Sequence, residues 1–384
     1  MTSIPSPTLV RSPEELHAML RVLLAQPAVA VDTESNSMHA YRERVCLIQF
    51  SIPGCDYIVD PLEIRDLTVL QPLFADTAIE KVFHAAEYDM ICLWRDFGFK
   101  VSGLFDTMMA ARALGWVRVG LAAILSEYFS VSVSKRFQRA DWGKRPLSDE
   151  QIAYAQLDTR YLLQLREHQY QELCKRGQWP EVHEEFERIA RVSSHNSAGS
   201  TVDQRGTDGF WRINGARKLS ERERAVLREL YLYRESVAER MDKPTFRVIG
   251  NGVLLTIAQR SPRVVEALRG VRGMSVGQIR RYGKGILQAV HRGMRAKPPE
   301  PPKAIRGGRG VSARYEALRE WRKLRAQRRG LASDVILARE VLWALAQAAP
   351  SSMAELETIR DLGPWRRAEY GEEIINLLAE ADKG

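Results

Sequence analysis

The second half of this chain repeats itself. Ala258, Gln259 and Pro262 recur as Ala346, Gln347 and Pro350, and Tyr282, Gly283 and Ile286 recur as Tyr370, Gly371 and Ile374, all at an offset of 88 residues. Further upstream, Leu227, Arg228 and Glu229 recur as Leu318, Arg319 and Glu320 at an offset of 91, so the first copy carries a small extra loop. A fixed period of this kind means one supersecondary unit used twice. Both copies are spaced as helices, which predicts two all-α bundles, at 210–293 and 313–384. The segment 294–312 between them is a linker, stiff through Pro298, Pro299, Pro301 and Pro302 and flexible at Gly307, Gly308 and Gly310. A second polar linker, rich in Ser, Asn, Gly and Asp, is expected over 192–209.

Residues 1–191 read differently. Short apolar runs at 28–31, 44–51, 55–60 and 81–84 suit buried strands, with Pro53 and Gly54 making a tight turn between the second and third. Helical periodicity lies between and after them, at 88–97, 107–114 and 120–129. Ser12 begins a capped helix with Glu15 three residues on, and Ser148 begins another that should run to about Lys175. An α/β domain with a mixed sheet flanked by helices is therefore expected, followed by the two helical bundles. A chain of 384 residues is long enough for such a division.

The net charge of +9 is unevenly spread. Residues 1–200 hold 21 Lys+Arg and 26 Asp+Glu, whereas 201–384 hold 36 and 22. The basic half has the electrostatic footprint of a polyanion partner such as nucleic acid. No apolar run approaches the roughly 20 residues of a membrane span, and the first residues lack the basic and apolar pattern of a secretory leader. Cys46, Cys55, Cys92 and Cys174 show no CxxC spacing, so reduced thiols in a cytoplasmic protein are expected rather than a zinc site. No GxxxxGK[ST] loop occurs, which excludes a P-loop helicase.

The acidic half concentrates its chemistry in three patches. Asp32 and Glu34 end the first apolar run, and residues two apart on a strand share a face. Asp89 follows the fourth strand, with Glu87 as a competing ligand. Tyr154 and Asp158 are four apart and so share one helical face. Each pattern alone is common on solvated surfaces. Together they offer four carboxylates and a phenol, the hard-oxygen set that divalent cations need for phosphodiester hydrolysis.

In this order and spacing the patches resemble the DEDD exonucleases, in the subclass with a tyrosine before the last aspartate. The segment 135–142 with Arg145, Pro146, Leu147 and Ser148, the run 45–50, and Phe105, Asp106 and Thr107 resemble ribonuclease D. The repeated unit resembles the HRDC domain, although Ser333, Asp334 and Val335 replace the usual Lys-Pro-Thr stretch in the second copy. The resemblance implies a ribonuclease H-like exonuclease domain and two HRDC-like bundles. It implies two Mg2+ or Mn2+ ions about 4 Å apart, held by Asp32, Glu34, Asp89 and Asp158. Tyr154 would orient the attacking water, since a phenol of pKa about 10 is a poor base at neutral pH. Thr33 and Gln49 are expected at the terminal nucleotide, with His84 either packing or touching substrate. Lys135, Arg139 and Arg145 are expected at phosphates. The implied function is that of a 3′-5′ exoribonuclease acting on structured RNA such as tRNA precursors, as a monomer. Two other readings are a DNA exonuclease of the Werner or proofreading type and a non-catalytic RNA-binding protein.

Overall fold

The computed structural model describes residues 5–200, 206, 208–302 and 309–382. Its first domain is built on six strands: β1 (Thr8–Val10), β2 (Ala28–Ser35), β3 (Val45–Ile52), β4 (Cys55–Val59), β5 (Glu80–Phe83) and β6 (Leu104–Asp106). They form one mixed sheet in the order β1-β4-β3-β2-β5-β6. The β3–β4 hairpin turns at Gly54, whose φ of +85° is costly for any residue with a Cβ. The central strand β2 is antiparallel to β3 and parallel to β5. Its pairing with β5 ends at Ala30 and Val82, so beyond that point one edge of β2 is open.

Eight helices surround the sheet: α1 (Pro13–Leu23), α2 (Gln71–Ala75), α3 (Glu87–Phe97), α4 (Thr107–Ala113), α5 (Leu121–Tyr128), α6 (Asp149–Arg160), α7 (Leu162–Lys175) and α8 (Trp179–Ser200). Ser12 and Ser148 each form the capping box that their sequence predicts, with Glu15 and Gln151. The single helix expected over 148–175 is two. Tyr161 leaves helical geometry (φ −100°, ψ −4°), so α6 lies across β3 and β4 while α7 turns to pack on β2, β5 and α4. No glycine or proline marks this break. The expected linker at 192–209 also begins as helix, because α8 continues to Ser200. Residues 201–205 and 207 of that linker, and 303–308 of the other, lie outside the described residues.

The rest is helical. The first copy contains α9 (Glu221–Arg240), α10 (Thr245–Val248), α11 (Asn251–Arg260) and α12 (Val276–Arg295), and the second α13 (Arg309–Arg329), α14 (Ser333–Ile336), α15 (Arg339–Ala348), α16 (Met353–Leu356) and α17 (Pro364–Ala381). Each copy has its own apolar core. Among the described residues no helix is long and apolar enough to cross a membrane.

Both copies dock on the first domain. Tyr41 inserts into the core of the first copy, where its hydroxyl donates to Glu235 at 3.1 Å and its backbone N–H to Asp242 at 3.0 Å. The second copy meets α8, whose acidic face is buried. Arg366 pairs with Glu184 at 2.9 Å and Glu185 at 3.3 Å, and Arg329 pairs with Glu181 at 2.6 Å. Removing one partner of such buried pairs leaves charge without compensation. Arg366→Met should therefore destabilise the full chain by about 3–5 kcal/mol in a urea titration, with the loss in the C-terminal transition. A change within experimental error would mean that these pairs do not hold the second copy in place.

Candidate active site

The end of β2 carries the site. Asp32 and Glu34 project from one face of that strand, and Asp158 reaches them from α6. One carboxylate oxygen from each lies within 4.8 Å of the other two. Tyr154 lies one turn before Asp158 on α6, and its phenol is near enough to the Asp158, Glu34 and Asp32 carboxylates to feel their charge. Asp89 comes from the opposite side. It occupies the first turn of α3, where the edge of β2 has been left open by β5, and it accepts a hydrogen bond from the Thr33 hydroxyl at 2.5 Å. Alternation along β2 places Thr33 between Asp32 and Glu34 on the other face, which suits this contact.

Two anchors hold these groups against one another. Buried Asp106 accepts from four backbone N–H groups: Ala85 at 3.0 Å, Ala86 at 2.8 Å, Met108 at 2.8 Å and Met109 at 3.1 Å. It thereby fixes Ala85 in a left-handed conformation (φ +63°) that few non-glycine residues adopt, and with it the start of α3 and Asp89. On the other side, buried Asp56 accepts from Ser51 at 2.7 Å and Gln156 at 2.6 Å and pairs with Arg160. Ser51 also meets Thr159 at 2.7 Å. This network clamps α6 to β3 and β4 and so sets where Tyr154 and Asp158 point.

Burial and mutual repulsion raise the proton affinity of the whole group. Asp32 is pushed well up by burial and then by the charges of Asp89, Asp158 and Glu34. Burial lifts Glu34 as well, with Asp158 and Asp89 adding to it. Asp89 and Asp158 both rise to about 7, again chiefly through burial. Burial pushes the Tyr154 phenol upward too, and neighbouring carboxylates reinforce the shift, so it stays protonated as a hydrogen-bond donor. A set of hard oxygens that repel each other when charged fits divalent cations, whose binding would remove the repulsion.

The cleft above these groups has a volume of about 420 Å3. Its wall contains Thr33, His84 and Lys135 from the sequence expectation, together with Gln138, Ser134 and the segment 120–123 that begins α5. His84 is held by Thr107, with Nδ1 2.9 Å from its hydroxyl, and burial lowers its pKa, favouring the neutral ring. Arg139 is exposed beside Gln138. Two expected substrate contacts are placed elsewhere. Gln49 is fully buried on β3 opposite Asp32, beneath α6, and does not line the cleft. Arg145 is a staple: its guanidinium grips Asp60 at 2.6 and 2.8 Å and the carbonyls of Cys46, Trp142 and Lys144 at 2.9, 2.7 and 2.7 Å. A lone arginine in sequence does not reveal that its five donors are already engaged. Asp106 stood out in the sequence only as part of a ribonuclease D-like run, and its anchoring role was missed. Its signal was Asp-Thr at a strand end before an apolar helix, an N-cap pattern.

Residues 7–173 match the 3′-5′ exonuclease family model, and residues 223–290 and 311–378 each match the HRDC domain. A ribonuclease D of Jannaschia is 29% identical over 391 residues, an alignment covering 97% of this chain and 95% of the relative. The exosome complex exonuclease RRP6 of Saccharomyces cerevisiae is 32% identical over 301 residues, which cover 75% of this chain but 41% of that longer protein. In fold, the chain is similar to Escherichia coli RNase D, with a TM-score of 0.71 at 24% identity over 98% of this chain and 99% of the other.

Two outcomes follow from the anchors and the charges. Asp106→Asn puts an amide N–H among backbone donors, so it should loosen the start of α3 and weaken divalent-cation affinity roughly 10–100-fold, measured by calorimetry; unaltered affinity would remove Asp106 from that role. Asp89 and Asp158 titrate higher folded than unfolded, at about 7 against 3.8. The folded state then holds the extra protons, and the stability of metal-free protein should fall as pH rises from about 4 to 7. Melting in chelator should show this decline, Asp158→Asn should flatten it, and added Mg2+ should restore stability at pH 8 far more than at pH 5.

Proposed function

Because the chain belongs to the ribonuclease D family of 3′-5′ exonucleases, we propose that it trims structured RNA precursors, tRNA among them, from their 3′ ends. Each cycle would release one nucleoside 5′-monophosphate. The observation that carries this reading is the oxygen triad of Asp32, Glu34 and Asp158 within 4.8 Å, lining one cleft together with Tyr154. Such a constellation has no use in a binding module, and burial keeps it at high cost.

The residues fit two cations, Mg2+ or Mn2+, with Asp32, Glu34 and Asp158 on one side and Asp89 on the other. When bound, such ions neutralise the phosphate and acidify the attacking water. This chain's own contribution is placement. Asp32 and Glu34 fix one edge of the site on a rigid central strand. Asp158 supplies the facing edge, and Tyr154, one turn earlier on α6, lines the same cleft, where its phenol can orient the attacking water. Thr33 holds Asp89 in register. Lys135 lies on the cleft wall, where it can meet the phosphate of the terminal nucleotide, and His84, neutral and half-buried in the same wall, can pack against the sugar or base. The basic C-terminal half holds the body of the RNA. We further place the protein in the cytoplasm, on its cysteine usage, and take it as a monomer, as the family resemblance implies.

A 5′-labelled single-stranded RNA should shorten stepwise from its 3′ end, only with Mg2+ or Mn2+, and faster than a matching DNA. Blocking the 3′ hydroxyl should slow it, whereas blocking the 5′ end should not; internal cuts would overturn the reading. Asp158→Asn should abolish hydrolysis while RNA still binds. Tyr154→Phe keeps the packing and loses only the hydroxyl, and should lower kcat about 10²–10⁴-fold with metal affinity little changed. A loss under twofold, with chemistry shown to limit the rate, would exclude Tyr154 from the mechanism.

A further inference from the structure

The two helical copies correspond residue by residue. At the offset of 88, α10 falls on α14, α11 on α15, and the first residue of α12 on that of α17. Ser261 and Ala349, one offset apart, end their helices in the same left-handed conformation (φ +43° and +47°). The internal staple is shared as well: Gln278 donates to the Val248 carbonyl at 3.0 Å, and Arg366 to the Ile336 carbonyl at 2.9 Å. Differences in exposure between matched residues therefore show what each copy does with the same face.

The second copy spends this face on the first domain. Asp334 pairs with Arg112 of α4 at 2.5 Å, Val335 is 1% exposed in the core of the first domain, and Arg366 extends past its staple to Glu184 and Glu185. The counterparts in the first copy are Phe246, Arg247 and Gln278. Phe246 is 50% exposed, and Val276, matched to Pro364, is 80% exposed. Lys243 and Arg247 are exposed on either side of Phe246. The charge follows the same division. Residues 313–384 hold 12 Lys+Arg and 12 Asp+Glu, whereas residues 210–293 hold 18 and 7. The copy that docks through this face is neutral, and the copy that leaves it open is strongly basic.

That open face adjoins the catalytic cleft. Arg247 Nη2 lies 3.4 Å from His39 Nδ1, and His39 Nε2 lies 3.0 Å from the Arg139 carbonyl. Arg139 directly follows Gln138, which lines the cleft with Lys135. A basic strip thus runs from the site over Arg139 to Arg247, Phe246 and Lys243. Asp242, the acidic neighbour of Lys243, accepts from the backbone of Tyr41, and Asp141 lies against His39 at 3.7 Å.

Resting on the reading of this chain as an RNA exonuclease, we propose that the α10 face is a subsite for the single-stranded RNA that leads into the cleft. One base stacks on Phe246, and the flanking phosphates meet Arg247 and Lys243. An exposed aromatic ring between cations is the arrangement that holds a single strand without reading its sequence. The second copy has Asp334 at the aromatic position and is a docking module instead.

The test is substrate length. For Phe246→Ala, KM for an unstructured RNA of about 12 nucleotides should rise roughly tenfold relative to KM for a dinucleotide, whose two residues are taken up by the cleft itself. Phe246→Tyr should restore the ratio, since it keeps a stacking face; a loss through misfolding would not be rescued selectively on the long substrate. Arg247→Gln and Lys243→Gln should each lower the salt slope of log K for the 12-mer by about 0.7. An unchanged KM ratio and salt slope in a protein that does degrade RNA would overturn the subsite alone. A wild-type protein that degrades no RNA would overturn the underlying reading. If Phe246→Ala instead abolished a dimer in sedimentation, the face would hold a second copy of the chain and the subsite would fall.

Discussion

Four carboxylates are forced together at the end of one strand, and much of the first domain exists to keep them there. Burial raises the proton affinity of all four, and repulsion from neighbouring carboxylates adds to it. Left to itself such a group would spread apart or stay protonated. The fold prevents the first with anchors that lie outside the site. Asp56 gathers Ser51, Gln156 and Arg160 to clamp α6. Asp106 gathers four backbone N–H groups to fix the turn into α3. Divalent cations held by these carboxylates would prevent the second, by neutralising the repulsion.

The anchors explain why the sheet has its shape. A longer β5 would pair with the whole of β2 and shut Asp89 out. Ending that ladder at Ala30 and Val82 opens the strand edge where its carboxylates begin, and the chain uses the gap to bring α3 around. The cost is a left-handed Ala85, which is strained on its own and tolerable only because Asp106 satisfies the N–H groups of Ala85 and Ala86. Local strain and long-range hydrogen bonding are two sides of one device.

How much of this could be read in the chain depends on whether the cause was local. The Asp32 and Glu34 pair, the Tyr154 and Asp158 pair, the capping boxes at Ser12 and Ser148, and the 88-residue repeat are all written in short or regular spacings, and the structure brings Asp32, Glu34, Tyr154 and Asp158 together. Where partners come from distant segments, spacing is silent. Arg145 reads as a phosphate contact until Asp60, 85 residues earlier, is seen to hold it. Gln49 reads as a polar residue near the site, but pairing with Asp32 on one side and Ile58 on the other puts it inside the sheet, under α6. The polar stretch after Arg191 reads as linker, yet helix formation needs only backbone hydrogen bonds, and composition alone does not say where a helix stops. The break at Tyr161 has no local signal at all; it is imposed by two packing directions, one toward Ser51 and one toward β5.

Duplication has been used asymmetrically, and the asymmetry reaches the site. The second copy grips α8 through Glu181, Glu184 and Glu185. On another face α8 packs along α3, the helix whose first turn carries Asp89. A stack of α17, α8 and α3 thus joins a helical module to one wall of the catalytic group. The first copy grips the opposite side through Tyr41, which lies in the loop between β2 and β3, just beyond Glu34. The two modules therefore brace the two flanks of the same strand end. Loosening either should be felt first as a change in cation affinity, because a set of mutually repelling carboxylates converts small displacements of its walls into large changes in the charge it can hold.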